Sequence, residues 1–304
     1  MKFISTLLLL GTIGISLRAA TFTNTPDADS FVRSNAPTAN YGGAGALSVS
    51  GSISTNTMSG FTNGIADTFI RFKTAAMVTN FNSLFGTNNW VVSGATLQVT
   101  EVGTPNNPIF DQGIGAFTIS WVADDNWTEG NGAPMMNSTT VGIVYTNEPV
   151  LLTNTASLGI FTNTSTSVTL LFPLALPRVF TSDVQAGGEV TLFLTAIDPQ
   201  TGFTFTSRSF GTASARPLLE ISAVPVPGIS AVSLSGSDVV LSATNGAAGG
   251  TYYVLSSTNA ALPLNQWNST ATNVLTADGN FNITITNAAS GNTRWQQFYI
   301  LQTR

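Results

Sequence analysis

The residues able to do chemistry fall into four phrases. These are Ala28-Asp-Ser-Phe-Val-Arg33 running on to Asn40-Tyr-Gly-Gly43, Ala66-Asp-Thr-Phe-Ile-Arg-Phe72, Trp127-Thr-Glu-Gly130, and Ser207-Arg208 with Ala215-Arg-Pro-Leu-Leu-Glu-Ile221. Each sets Trp, Tyr, Arg or carboxylates at the end of a β-like run, in a chain with no His and no Cys. Such a set suits gripping a polar polymer better than cutting one. The loop Asp124-Asp-Asn-Trp-Thr-Glu129 follows a strand that should end at Val122, and two roles suit it. A flat indole at Trp127 stacks on the C–H face of a pyranose while Asp125 and Glu129 accept its hydroxyl hydrogen bonds. Alternatively, Trp127 plugs the end of a sandwich and Glu129 pairs with a buried Arg. Asp124 and Asp125 are also the candidate ligands for a Ca2+ ion, although no EF-hand spacing surrounds them.

Arg33, Arg71, Arg208 and Arg216 have two roles open as well. Guanidinium forks hold uronate carboxylates bidentately, or they lock strand ends by ion pairing. Arg71 alternates with Ile70 and Phe72, so it points away from the face those two bury, with Asp29, Asp67 and Glu220 as candidate partners. Arg33 and Tyr41 flank the glycine-rich loop Gly42–Gly45 and are the pair to keep for a ligand. A glycosidase needs two carboxylates about 5 to 10 Å apart, for which Asp125 and Glu129 are the candidates. Lyases and Ser hydrolases usually call on a His, and no Gly-x-Ser-x-Gly elbow occurs. The expectation is a protein with no catalytic residues and no required cofactor.

Composition narrows the partners. Lys2 precedes an apolar run from Phe3 to Leu17 that ends at Ala19 and Ala20, which reads as a signal peptide over residues 1–20. The run is shorter than the ~20 apolar residues of a membrane-spanning helix. The expected location is therefore extracellular or at the cell surface, with no transmembrane segment once the leader is removed. Without cysteine the chain carries neither a lipid-modified N-terminal Cys nor a disulfide. Ten basic residues stand against fifteen acidic ones, a net charge of −5, and the leader holds two of the ten, Lys2 and Arg18. Nucleic acid and anionic membranes demand clustered Lys and Arg, so neither is an expected partner. Charged residues are only 8% of the chain, and Thr, Asn, Ser and Gly separate the apolar ones, a β-rich secreted composition.

The elements that must position these residues are strands. Period-two alternation recurs at Thr68–Phe72, Ala95–Glu101, Phe117–Val122, Val168–Phe172, Val190–Ala196, Phe203–Ser207 and Leu218–Ala223, between turns rich in Gly, Asn and Pro. This predicts an all-β antiparallel sandwich. Trp90, Phe117 and Trp121 lie in apolar alternation and read as core. One helix is expected, Pro177–Ala186, with Pro in its first turn and Gly187-Gly188 as its stop. Pro225-Val-Pro-Gly228 interrupts the pattern and is read as a linker between a domain at 21–224 and a small β-sandwich at 229–304. The short strands of that second unit have the rhythm of an immunoglobulin-like or fibronectin-like sandwich. Its core is expected to draw on Trp267, Trp295, Tyr253 and Phe298.

The four phrases, in their order over residues 21 to about 224, resemble the DNRLRE (disaggregatase-related) domain, a family of secreted jelly-roll modules associated with carbohydrate binding. The resemblance rests on Asp29–Arg33 with Asn40–Gly42, Ile70-Arg-Phe72, Ser93-Gly-Ala-x-Leu97, Trp127–Gly130, and Ser207-Arg208 with Arg216-Pro-Leu-Leu219. Two departures stand out: Ala75–Trp90 is longer than the family pattern, and Lys73 stands where an Asp is usual. The resemblance implies a jelly-roll fold and a polysaccharide ligand. The expected function is a secreted, non-catalytic polysaccharide-binding or adhesion protein, with ligand contacts from Trp127, Glu129, Asp125, Tyr41 and Arg33. The C-terminal unit would serve as spacer, surface-attachment or sorting module. The alternative is a structural surface or matrix protein assembling through sheet edges without sugar, and after it a polysaccharide-degrading enzyme.

Overall fold

The computed structural model describes residues 19–54, 64–102, 113–134, 136–164, 166, 168–246, 249–277, 279–289 and 297–303. The expected leader lies outside them up to residue 18. The described chain forms two units, one of Ala20–Thr87 with Val91–Ala223, the other of Asn88–Trp90 with the residues from Val224 onward.

The larger unit carries β1 (Ala20–Asn24), β2 (Pro26–Arg33), β3 (Ala46–Ser50), β4 (Ala66–Lys73), β5 (Trp90–Thr100), β6 (Ala116–Val122), β7 (Thr155–Thr162), β8 (Thr169–Pro173), β9 (Glu189–Ala196), β10 (Gly202–Thr206) and β11 (Leu218–Pro225). They form two antiparallel sheets. A four-stranded sheet runs β1-β11-β5-β8, and a seven-stranded one runs β10-β3-β4-β9-β6-β7 with β2 also on β4. The sheets meet through aromatic rings: Phe172 of β8 lies edge-on to Phe117 of β6 at 5.4 Å and to Phe203 of β10 at 6.3 Å. Full burial of each such ring stabilises the fold by about 1.5–3 kcal/mol.

Strand β4 explains the rest of the architecture. Thr68, Ile70 and Phe72 point to one face and Asp67, Phe69 and Arg71 to the other, as alternation requires, yet both sets are buried or nearly so. The second face is covered by the long connection Ala123–Asn154, whose Trp127, Ile143 and Leu151 pack on Ala28, Val32, Phe69 and Phe193. The sheet is therefore covered on both sides, and the second cover is built from loops.

The expected helix is present as α3 (Arg178–Ala186), preceded by Pro177 and ended by Gly187, which adopts the left-handed φ of 77°. The expectation of a single helix needs correction. α1 (Ala75–Phe85) fills most of the long segment Ala75–Trp90 and buries Met77, Phe81 and Phe85. That i, i+4, i+8 spacing is a helical stripe, hidden in the sequence by Thr and Asn around it. A one-turn helix, α2 (Glu148–Leu151), lies in the long connection, begun by Asn147 and Pro149. Among the described residues no helix is long and apolar enough to cross a membrane.

The smaller unit has β12 (Gly228–Ser235), β13 (Asp238–Gly246), β14 (Thr251–Ser257), β15 (Asn268–Val274), β16 (Gly279–Ile285) and β17 (Phe298–Thr303). They form two three-stranded sheets, β12-β13-β16 and β15-β14-β17. Strand β15, Asn268-Ser-Thr-Ala-Thr-Asn-Val274, is mostly polar and mostly exposed, so the sequence carries no apolar alternation to mark it. The core differs from the expected one. Val239, Leu241, Tyr252, Val254, Leu275, Ile283 and Ile285 form it, so β14 turns Tyr252 inward and leaves Tyr253 half-buried. Trp267 and Phe298 are half-buried too, and Trp295 lies outside the described residues.

Candidate functional site

Two open clefts lie side by side on the loop layer of the larger unit. The first, about 750 Å³, has Thr38, Tyr41, Met136, Asn137 and Thr140 among its walls. The second, about 340 Å³, has Asp124, Asn126, Thr128 and Val150. They share Val141, Gly142 and Asn147, which form the ridge between them. Val141 is 89% exposed on that ridge.

Asn40 builds this surface. Its Nδ2 donates to the carbonyls of Glu129 at 2.7 Å and Ile143 at 2.9 Å, and its Oδ1 accepts the N–H groups of Gly42 at 3.2 Å and Gly132 at 3.0 Å. One buried amide thus meets its full hydrogen-bonding capacity on three loop segments. Gly42 passes so close to the Glu129 carbonyl that a Cβ would collide with it, and Gly130, at φ 75°, lies as tightly against the Asn40 side chain. The Asn-Tyr-Gly-Gly and Trp-Thr-Glu-Gly phrases, far apart in sequence, are therefore two halves of one junction. Two backbone bonds complete it, Ile143 N–H to the Thr128 carbonyl at 2.8 Å and Thr146 N–H to that of Pro37 at 3.1 Å.

Beneath the junction lies a layer of charge. Arg71 donates through Nε and Nη2 to Asp27 Oδ2 at 3.2 and 2.9 Å, and through Nη1 to the carbonyls of Asp125 and Trp127, both at 2.9 Å. Its guanidinium carbon sits 5.2 Å from the centre of the Trp127 ring, within cation–π range. Arg208 grips Glu129 with both Nε and Nη2, a bidentate fork. Glu129 also accepts the Asp29 backbone N–H at 3.2 Å, and Asp29 Oδ2 accepts that of Arg208 at 2.6 Å. Asp29 is fully buried, and burial pushes its carboxyl up to about 7. Burial likewise pushes Asp125 up to about 6, with Asp183 and Glu189 adding repulsion and a Thr191 hydrogen bond opposing it.

A second acidic pair went unnoticed in the sequence. Asp67 of β4 and Glu148 of α2 are buried, electrostatically coupled carboxyls. Burial raises both, with Asp67 at about 6 and Glu148 at about 8, and the Thr195 hydrogen bond holds Asp67 lower. The pair fastens the start of α2, next to the cleft residue Asn147, onto the sheet. The Asn147-Glu-Pro149 helix start was the available signal for it.

The expected ligand residues divide. Tyr41 lines the first cleft, although its ring is stacked on Phe31 at 4.4 Å and mostly buried. Trp127 borders the second cleft but is only 7% exposed, packed in the outer-face cluster with Nε1 donating to Thr191 Oγ1 at 3.0 Å. The open indole platform is replaced by a plug, because the apolar outer face of the sheet needs covering more than the loop needs an aromatic tip. Glu129 is committed to Arg208, Asp125 is half-buried against Thr191, and Arg33 at the end of β2 lines neither cleft. Asp124 lines the second cleft while its Oδ1 accepts the Asn126 N–H at 2.9 Å. Among the described residues no group of three His, Cys, Asp or Glu side chains is placed to hold a metal. Asn137, Asn147 and Val141 line the clefts and were missed, since neutral loop residues carry no spacing signal.

No protein-family model matches the chain, and no curated protein matches it in sequence. Solved structures that match include the beta-glucuronidase of Ruminococcus gnavus, at 8% identity and a TM-score of 0.22, over 93% of this chain and 44% of that one. A likeness at that score carries no argument about this protein.

Proposed function

We propose that this is a secreted, non-catalytic polysaccharide-binding protein whose larger unit holds the glycan. The observation that carries this reading is the paired cleft, preformed by Asn40 and walled by amides and hydroxyls. Preformed concave sites with a few placed polar groups are the usual form of a small-ligand site. The leader-like N-terminal run and the resemblance of the four phrases to DNRLRE domains support it. The carboxylates do not favour catalysis: Glu129 is held by Arg208, and Asp125 is engaged by Thr191. The C-terminal unit acts as a spacer or attachment module.

The test is native gel electrophoresis of the full chain through gels containing dissolved polysaccharides. Retardation by at least one glycan is expected, and unchanged mobility across a broad panel overturns the reading. In that event the matrix reading gains. It draws on the edge strands β7 and β8, which each pair on one side only and expose Ile160 and Leu171. Concentration-dependent assembly in sedimentation would then identify it.

A further inference from the structure

We propose that the two clefts are subsites of one groove for an uncharged polysaccharide chain, which crosses the Val141 ridge and is recognised without arginine or calcium. This rests on the carbohydrate-binding reading and specifies its ligand. Three observations carry it.

The first is where the cations go. Arg71 is spent on Asp27 and two carbonyls, Arg208 on Glu129, and Arg216 on the Phe210 carbonyl at 2.8 Å. Among the described residues neither cleft has an Arg or Lys in its wall, and Asp124 is the one acidic wall residue. A uronate polymer would find no guanidinium fork there and would meet a carboxylate in a chain of net charge −5. A neutral sugar bears no such cost, and its hydroxyls match the Asn137 amide and the Thr38 and Thr140 hydroxyls.

Continuity is the second. Val141, Gly142 and Asn147 wall both clefts, so a chain leaving one enters the other over a single shared ridge. The ridge presents exposed Val141, with Val150 at 68% exposure beyond it in the second cleft. Aliphatic side chains there suit the apolar carbon face of a pyranose.

Rigidity is the third. The ridge is fastened by Asn40 and Thr128 at Ile143, and by Pro37 at Thr146. A fixed ridge lowers the ordering cost of binding and holds the two subsites at a constant separation, which rewards a ligand long enough to fill both.

The experiment uses the full chain against linear neutral polymers (a mixed-linkage β-glucan, a galactomannan and a xylan) and two uronates (polygalacturonate and alginate), each with calcium and with chelator. Neutral oligosaccharides of increasing length follow by calorimetry. Retardation by a neutral polymer that is insensitive to chelator and salt is expected, with affinity rising roughly tenfold or more once the oligomer spans both clefts. Val141→Trp should weaken every neutral ligand roughly tenfold, and Val150→Trp only the longer ones. Both positions are exposed, and unchanged thermal unfolding of each variant confirms that the fold is intact. Binding confined to uronates overturns this inference and leaves carbohydrate binding standing. Neutral binding indifferent to Val141→Trp, or lost with chelator, also overturns it. Silence toward every polymer overturns the broader reading, and this one with it.

Discussion

The charged layer under the loop junction and the mostly uncharged clefts above it use opposite halves of the same composition. In the layer, Arg71 pairs with Asp27, Arg208 with Glu129, and Asp29 takes the Arg208 backbone N–H, with Oδ1 of Asp27 and of Asp29 left buried and without a hydrogen-bond partner, while the cleft walls are left largely to Asn, Thr, Ser and Val. Residues that look most reactive in the sequence hold the architecture, and the inconspicuous ones meet solvent. The physical cause is strand alternation. β4 has two buried faces, so its polar positions lie under a cover instead of in water, and a buried charge persists only with a partner.

That contrast can be broken most severely from below. Arg71→Met leaves two carbonyls without their donor and Asp27 with only the longer Lys73 contact at 3.7 Å, and should cost about 3 kcal/mol in urea unfolding, whereas the joint change with Asp27→Asn should recover much of the loss. Trp127→Ala should also cost about 3–5 kcal/mol, through a cavity in the outer-face cluster. A stability unchanged by that substitution would return the indole to the surface. Asn40→Ala should cost about 1–3 kcal/mol for each group it leaves unsatisfied, and loosened clefts should show as faster hydrogen exchange at Gly42 and Gly132.

A gentler probe is pH. Asp29, Asp67, Asp125 and Glu148 all have folded-state values above their ordinary ones. The folded state therefore holds protons that the unfolded chain releases at about pH 4. Their stabilisation is complete below pH 4 and is lost as pH rises through about 6 to 8, with a slope of at most about 1.4 kcal/mol per pH unit from each group. Glu148→Gln should flatten the upper part of that fall, and a stability that rises from pH 5 to 8 by an amount independent of this change would refute the assignment. Smallest of all, Asn137→Ala in the cleft wall and Lys73→Ala, which is 62% exposed, should each shift stability by less than about 1 kcal/mol.

Much of the fold was legible in residues that obey one period. Thr68–Phe72, Phe117–Val122 and Val190–Ala196 alternate cleanly and lie within β4, β6 and β9, and Pro177 with Gly187 frames α3 in the sequence itself. Where two demands met in one segment the reading slipped. Met77, Phe81 and Phe85 carry a helical stripe diluted by Thr and Asn, β15 is too polar to look like a strand, and β14 alternates with either tyrosine available for the core. The candidate site was legible only in part. Its junction phrases were visible, but a sequence cannot say which side of a sheet a long loop will fold over.

By itself, then, the sequence determined an all-β chain, since alternation and turn residues are local properties set by each strand's own pleat. It also determined a scarcity of cations, which composition fixes whatever the fold. Only the tertiary structure decided which partners they take. Arg71 lies 44 residues from Asp27 and Arg208 lies 79 from Glu129, and pairings over such separations follow from sheet register and from the path of Ala123–Asn154. That path made Trp127 a plug, gave Glu129 to an arginine, and left two clefts walled mainly by neutral side chains facing water.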